Sequence, residues 1–292
     1  MADKITLKPF CIRCSAIGKI MGEPRGKSAA QKLAEAQALL KKNVDAVAAA
    51  KAGSKSQIAA AARVERYTKD VADLEKLADT PHLSQTCISY LQEWVNEQVY
   101  GRRIEVVSKY TTKGNKVEDD AIVYALGYVA GLQLEVKNEQ HLGNDWMHGT
   151  PDVVAGQMVL DIKSSWSHET FPLYDREIPE SDYEWQVLGY MGLTEKQKAV
   201  VCYCLMSMPD EMIEREARFK LGPNYTQEQF KEFAALYRYD DLPAFLRLKE
   251  FEFLFDEAKY ESIKTRVEQC RAYIDEVIIP TLTANAKKYA EQ

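Results

Sequence analysis

Apolar positions along the chain change their period several times, and each change marks an element. Through residues 27–79 they recur at i, i+3 and i+4 in two long runs, KSAAQKLAEAQALLKKNVDAVAAAKA and QIAAAARVERYTKDVADLEKLAD, separated by Gly53-Ser54-Lys55-Ser56. That spacing predicts an antiparallel helical hairpin with a turn between its arms. The stretch holds 16 alanines, one glycine and no proline, the composition of a strong helix former. After Pro81, SQTCISYLQEWVNEQVYG predicts an amphipathic helix with a serine cap, and Lys116 to about Ala130 predicts another.

Three strand-like pieces then follow closely: LQLEVKN, the region of MHGTPDVV, and QMVLDIKSS, the last two divided by Ala155-Gly156 in a tight turn. A helix over about Asp182–Leu193 leads into AVVCYCLMSM, whose unbroken apolar character predicts a buried strand. Beyond Pro209 the pattern turns helical, about Thr226–Tyr237, alternates once in LRLKEFEFLF, and ends in a long helix from about Glu257. The order helix, three-strand meander, helix, strand predicts an α/β fold. The whole of 1–292 reads as a single domain, with 27–79 as an inserted alanine-rich hairpin and 209–292 as a mainly helical C-terminal extension.

Composition narrows the classes. With 46% hydrophobic and 28% charged residues among 292, and only 14 Gly and 10 Pro, the chain is neither disordered nor fibrous. The 38 Lys+Arg against 44 Asp+Glu give −6, which argues against coating nucleic acid or an anionic membrane through overall charge but leaves room for a local basic groove. The hairpin carries ten basic and seven acidic residues, +3, too little for a DNA clamp; it reads as a packing or partner-docking arm. No stretch approaches the roughly 20 apolar residues of a membrane span, and MADKITLKPF has no apolar signal region behind its charges, so a cytoplasmic protein with no membrane partner is expected. The six cysteines then read as reduced thiols. Cys11 and Cys14 have the spacing of a metal knuckle, but no second pair completes four ligands.

Chemistry concentrates in Gly149-Thr150-Pro151-Asp152-Val153-Val154 and Gln157-Met158-Val159-Leu160-Asp161-Ile162-Lys163-Ser164. Folding across the turn brings Asp152 and Asp161 together. Asp161 and Lys163, one residue apart on a strand, point to one face. Two carboxylates and an ammonium converging on a buried strand need a compensating partner, and hard oxygen ligands suit Mg²⁺ or Mn²⁺. Such an ion polarises a phosphate and activates water, which the lysine positions or helps to deprotonate. The triplet alone is weak, since Glu135-Val136-Lys137 and Glu257-Ala258-Lys259 match it too. Only Asp161-Ile162-Lys163 has a Pro-Asp before it across a turn.

The Thr-Pro-Asp and Asp-x-Lys pair on this framework resembles the PD-(D/E)xK nuclease superfamily with its restriction-endonuclease-like core, and more narrowly the phage lambda exonuclease/YqaJ-type recombination nucleases. Gly114-Asn115-Lys116-Val117-Glu118-Asp119-Asp120-Ala121 is similar to that family's Gly-x-x-x-Glu helix, Gln186-Val187-Leu188-Gly189-Tyr190 to its Gln-x-x-x-Tyr motif, and Arg13-Cys14-Ser15-Ala16-Ile17-Gly18-Lys19 to its N-terminal phosphate-holding segment. The resemblance covers roughly residues 10–24 and 84–206. It implies Glu118, Asp152, Asp161 and the main-chain carbonyl of Ile162 as Mg²⁺ or Mn²⁺ ligands, with Lys163 orienting the water. Gln186 and Tyr190 would support the site or the DNA near it. Arg13, Ser15, Lys19 and Thr150 would hold a DNA 5′-phosphate. The implied activity is exonucleolytic, 5′ to 3′ from linear duplex ends, in phage or prophage recombination. A single-strand annealing partner and a ring-shaped homotrimer would go with it. An endonuclease, a RecB-like repair or defence nuclease, and a non-catalytic DNA-end-binding protein stay open.

Overall fold

The computed structural model describes residues 7–104, 107–129 and 132–290. In chain order the elements are β1 (Ile12–Arg13), α1 (Ile17–Met21), α2 (Ala29–Ala49), α3 (Lys55–Glu75), α4 (Gln85–Tyr100), α5 (Lys109–Tyr128), β2 (Leu142–Gly143), β3 (Met147–Gly149), β4 (Val153–Ala155), β5 (Met158–Ser164), α6 (Asp182–Thr194), β6 (Lys198–Cys204), α7 (Asp210–Leu221), α8 (Gln227–Ala235), β7 (Leu248–Leu254), α9 (Glu257–Tyr273) and α10 (Ile279–Ala290). They form two compact units. One takes the described residues up to Phe10, Ile20–Arg102 and those from Arg266 onward; the other takes Cys11–Lys19 and Arg103–Thr265.

The first unit is helical. Serine caps set its helix starts: Ser84, as the sequence suggests, and likewise Ser28 and Ser54 each accept from the backbone N–H three residues on. α2 and α3 pair as the predicted hairpin. Few hairpin side chains are fully buried, Ala36, Asn43, Ala60 and Val71 among them, so alanine propensity does much of the work that core packing does elsewhere. α4 instead buries a stripe at one-turn spacing, Cys87, Leu91 and Val95. α9 runs through one π-turn (Ile274–Ile278) into α10. Arg271 Nε donates to the Phe10 carbonyl at 3.0 Å.

The second unit is built on a four-stranded sheet in the order β4-β5-β6-β7. β4 and β5 are an antiparallel hairpin, β5 and β6 are parallel with α6 as the crossover, and β7 returns antiparallel to β6. The apolar run of β6 takes the interior position and is buried from Ala199 to Cys204. Side chains of even number on β5 and β6, Leu160, Val200, Cys202 and Cys204, face α5 through Val117, Ala121, Ile122 and Ala125. The odd-numbered positions turn to α6, as the Asp161–Gln186 hydrogen bond shows. A second, three-stranded sheet has the order β1-β3-β2, with β1 parallel to β3.

Three expectations change. LQLEVKN is not a strand: the chain turns at Leu132–Glu135, Leu134 is 98% and Val136 76% exposed, and only Asn138 reaches the sheet, donating to the carbonyls of Asp152 and Pro151. β4 is the edge strand of its sheet but only three residues long, a short edge for a partner strand. The MHGTPDVV region splits at Thr150-Pro151, because proline has no N–H to continue a ladder; β3 joins the small sheet and β4 the large one. The three-strand meander is therefore a two-strand hairpin followed by a parallel crossover. The helix expected from Lys116 starts earlier, at Lys109, under a Ser108–Thr111 capping box, and Ala130 lies outside the described residues.

Candidate active site

The β4–β5 turn is two residues long, with Gly156 at φ +45°, a left-handed position that glycine adopts without a Cβ penalty. Pairing Ala155 with Met158 and Val153 with Leu160 leaves Asp152 one step beyond the end of the ladder, beside Asp161 and Ile162. There its Oδ2 accepts the Ile162 N–H at 2.6 Å. Within a strand the N–H and C=O of one residue point to the same side, so the Ile162 carbonyl also faces this end, where β4 has stopped.

Asp161 is 2% exposed. Its Oδ1 accepts from Gln186 Nε2 at 2.8 Å, and its Oδ2 lies 2.8 Å from Lys163 Nζ. The latter is a close ion pair, and no other polar group meets that buried oxygen. Gln186 spends both amide hydrogens, on Asp161 and on Tyr190 Oη at 3.2 Å, while its Oε1 accepts from Lys163 at 3.3 Å. The helical i, i+4 spacing of Gln186 and Tyr190 makes this geometry available. Lys163 Nζ also sits 4.3 Å from the ring centre of Tyr183, one turn before Gln186.

The electrostatics favour a cation. Burial and the charge of Asp161 hold the Asp152 carboxyl well above its ordinary range, with Glu118 pushing the same way; the Ile162 N–H and Lys163 oppose them and do not prevail. For Lys163, burial disfavours the charge, but attraction and hydrogen bonding to Asp161, with help from Tyr183 and Asp152, leave the ammonium above its usual value. Two crowded carboxylates, one of whose buried oxygens meets only the Lys163 ammonium, make a site that a hard divalent ion fits. Asp152, Asp161 and the Ile162 carbonyl are placed to hold it.

Glu118 stands apart. It is on α5, close enough to perturb Asp152, yet its carboxylate is paired with Lys137 at 2.7 Å, and no set of three ligating side chains gathers among the described residues. Lys113, earlier on the same helix, is 1% exposed and donates to the carbonyls of Ser165 and Trp166 at 2.7 and 2.9 Å. It ties α5 to the segment that follows Lys163.

The N-terminal segment reaches the same region. β1 places Arg13 beside His148, and Cys14 packs where glycines allow close approach: a Cβ on Gly189 would meet Ile17 Cδ1 at 2.6 Å and Cys14 Sγ at 3.0 Å. Burial, helped by Cys11 and Asp161, pushes the Cys14 thiol up, and no group of three ligating side chains forms around it among the described residues. Ser15 and Lys19 are exposed on this segment and Thr150 at the mouth. Thr150 Oγ1 is 3.1 Å from His141 Nδ1. Sequence reasoning missed Tyr183, Lys113, His141 and His148. Only Tyr183 carries a local signal, its helical spacing to Gln186.

No family model matches the sequence, and no curated protein matches it significantly. Among solved structures, the chain resembles a phage-related exonuclease from Haemophilus somnus 129PT, with 22% identity, a TM-score of 0.63, and coverage of 94% of this chain and 97% of that one. An alkaline exonuclease from Laribacter hongkongensis overlaps more loosely, with 17% identity and a TM-score of 0.47 over 70% of this chain and 88% of that one. The first likeness establishes a shared fold.

Proposed function

We propose that this chain is a Mg²⁺- or Mn²⁺-dependent deoxyribonuclease that hydrolyses phosphodiester bonds from linear duplex ends, 5′ to 3′, in phage or prophage recombination within the bacterial cytoplasm. The observation that carries the reading is the buried Asp161–Lys163–Gln186 network beside Asp152, whose carboxyl is held high by burial and by the charge of Asp161. The fold shared with a phage-related exonuclease agrees with it.

The bound metal would polarise the scissile phosphate and activate water. Asp152, Asp161 and the Ile162 carbonyl would hold it, with Glu118 joining once it leaves Lys137. Gln186 fixes Asp161 by its Oδ1 and keeps Oδ2 beside Lys163. Lys163, paired with Asp161, would orient the attacking water and meet the charge growing on the phosphate. Arg13, Ser15, Lys19 and Thr150 would hold the 5′-phosphate, Tyr190 buttresses Gln186, and a homotrimer and a single-strand annealing partner belong to the same reading.

The test is digestion of end-labelled linear duplex and of closed circular DNA, each with Mg²⁺ and with EDTA. Metal-dependent loss of label from the 5′ end of linear DNA alone is expected. Cutting of the circle makes the enzyme an endonuclease, and intact linear DNA leaves only an end-binding protein. Asp161→Asn and Lys163→Ala should each abolish the digestion.

A further inference from the structure

The outer face of the small sheet carries a chain of hydrogen bonds that the chemistry above does not use. Thr150 Oγ1 lies 3.1 Å from His141 Nδ1, and His141 Nε2 lies 3.2 Å from His148 Nδ1. On β3, Met147 is wholly buried, so alternation turns His148 outward. Its register neighbours are Arg13 on β1 and Gly143 on β2, and paired residues project to the same face. Arg13 has no acidic partner among the described residues. A Cβ on Gly143 would stand 3.2 Å from that of His148, so the glycine leaves this flank open.

Donor accounting gives the chain a property. A neutral imidazole has one N–H and one bare nitrogen, so three neutral members can direct their donors only one way. In one arrangement Thr150 donates to His141, His141 to His148, and His148 Nε2–H points outward. In the other every bond reverses, the Thr150 hydroxyl is the outward donor, and His148 Nε2 is bare. One added proton lets both ends donate at once: His148 holds two N–H groups, His141 donates to Thr150, and the hydroxyl turns out. A ligand that rewards the added proton is an anion that meets these outward donors.

We propose that His141 and His148, acting with Thr150 and Arg13, are specificity-determining residues that read a terminal phosphate monoester on a DNA end. The inference rests on the nuclease reading above and adds two residues to it. A monoester carries about −1.5 to −2 charges at neutral pH, whereas each internal phosphate carries one, so the doubly donating chain selects ends over interior sites. The charged or titratable groups acting on His148 are Arg13 from β1 and His141 from the segment leading into β2; β2 itself brings only Leu142 and Gly143. Burial, then His141 and Arg13, lower the pKa of His148, so its ring is neutral near pH 7 until the anion arrives.

The experiment is fluorescence anisotropy in EDTA with a short blunt duplex labelled at its 3′ ends and bearing either 5′-phosphate or 5′-hydroxyl, from about pH 6 to 8.5. The wild type should prefer the phosphorylated end by about tenfold near pH 6.5, the worth of one charge-assisted hydrogen bond, and lose much of that preference by pH 8.5. His148→Gln and His141→Gln should each reduce the preference towards one and flatten its pH dependence. His141 is exposed, so its variant folds and is the deciding one. A preference that is absent or pH-independent in the wild type, or kept by both variants, overturns the inference. Linear-duplex digestion run alongside separates the two readings: digestion without end selectivity overturns this one and leaves the nuclease standing, while end-selective binding without digestion does the reverse.

Discussion

Lys113 offers a prediction whose size follows from its surroundings. Its ammonium is buried, is met by two main-chain carbonyls and by no carboxylate, and burial depresses its pKa from 10.5 to about 8. Two to three pKa units correspond to about 3 kcal/mol of instability at pH 7. The sign is that of a depressed base. Between about pH 8 and 10.5 the unfolded chain binds more protons than the folded one, so this residue's contribution improves as pH rises and its penalty is complete below pH 8. From pH 7 to 9.5 the wild type should therefore gain about 2 kcal/mol relative to Lys113→Met. At pH 7 the variant loses two hydrogen bonds of about 1 kcal/mol each and escapes the penalty, so the two proteins should lie within about 1–2 kcal/mol. Urea unfolding at both pH values measures the difference directly. A gap that does not move with pH would refute the account, because only a titrating Lys113 makes it move.

Three further outcomes follow from the site. Gln186→Leu takes the donor from a buried Asp161 oxygen; stability should fall by about 1–3 kcal/mol and nuclease turnover by about a hundredfold, and turnover within threefold of wild type would remove Gln186 from the machinery. Tyr183→Leu removes the ring over Lys163 and should lower kcat about tenfold with KM held, while Tyr183→Phe, which keeps the ring, restores it; equal loss in both variants would point to the hydroxyl instead. Gly192→Ala places a Cβ inside the ring of Tyr260 and should cost about 1–3 kcal/mol by overpacking, read as a drop in Tm; an unchanged Tm would mean that α6 and the start of α9 separate freely.

Local rules explain why so much of the site was legible in advance. A two-residue turn fixes the β4–β5 register, so a Pro-Asp before it and an Asp-x-Lys after it must meet at one sheet end. Helical spacing likewise puts Gln186 and Tyr190 together. Features that depend on distant chain were not legible. LQLEVKN alternates like a strand, but the edge strand β4 is only three residues long, too short an edge for the whole segment. β1 and β2 are two residues each, too short to leave a period, yet they bring Arg13 beside His148 and complete the face that meets Thr150. Glu118 shows the sharpest form of the limit. Its helix follows from the local pattern and its place near Asp152 from the family resemblance, whereas its partner is Lys137, from the segment that failed to become a strand. Had that segment joined the sheet as its pattern suggests, Lys137 would have been held in a ladder. Released from one, it neutralises a carboxylate half-exposed at 40%, where an exposed pair is worth roughly 1 kcal/mol or less. A divalent ion held as proposed at Asp152 and Asp161 would attract that carboxylate with twice the charge, and metal binding and loss of the Lys137 pair would then be coupled steps.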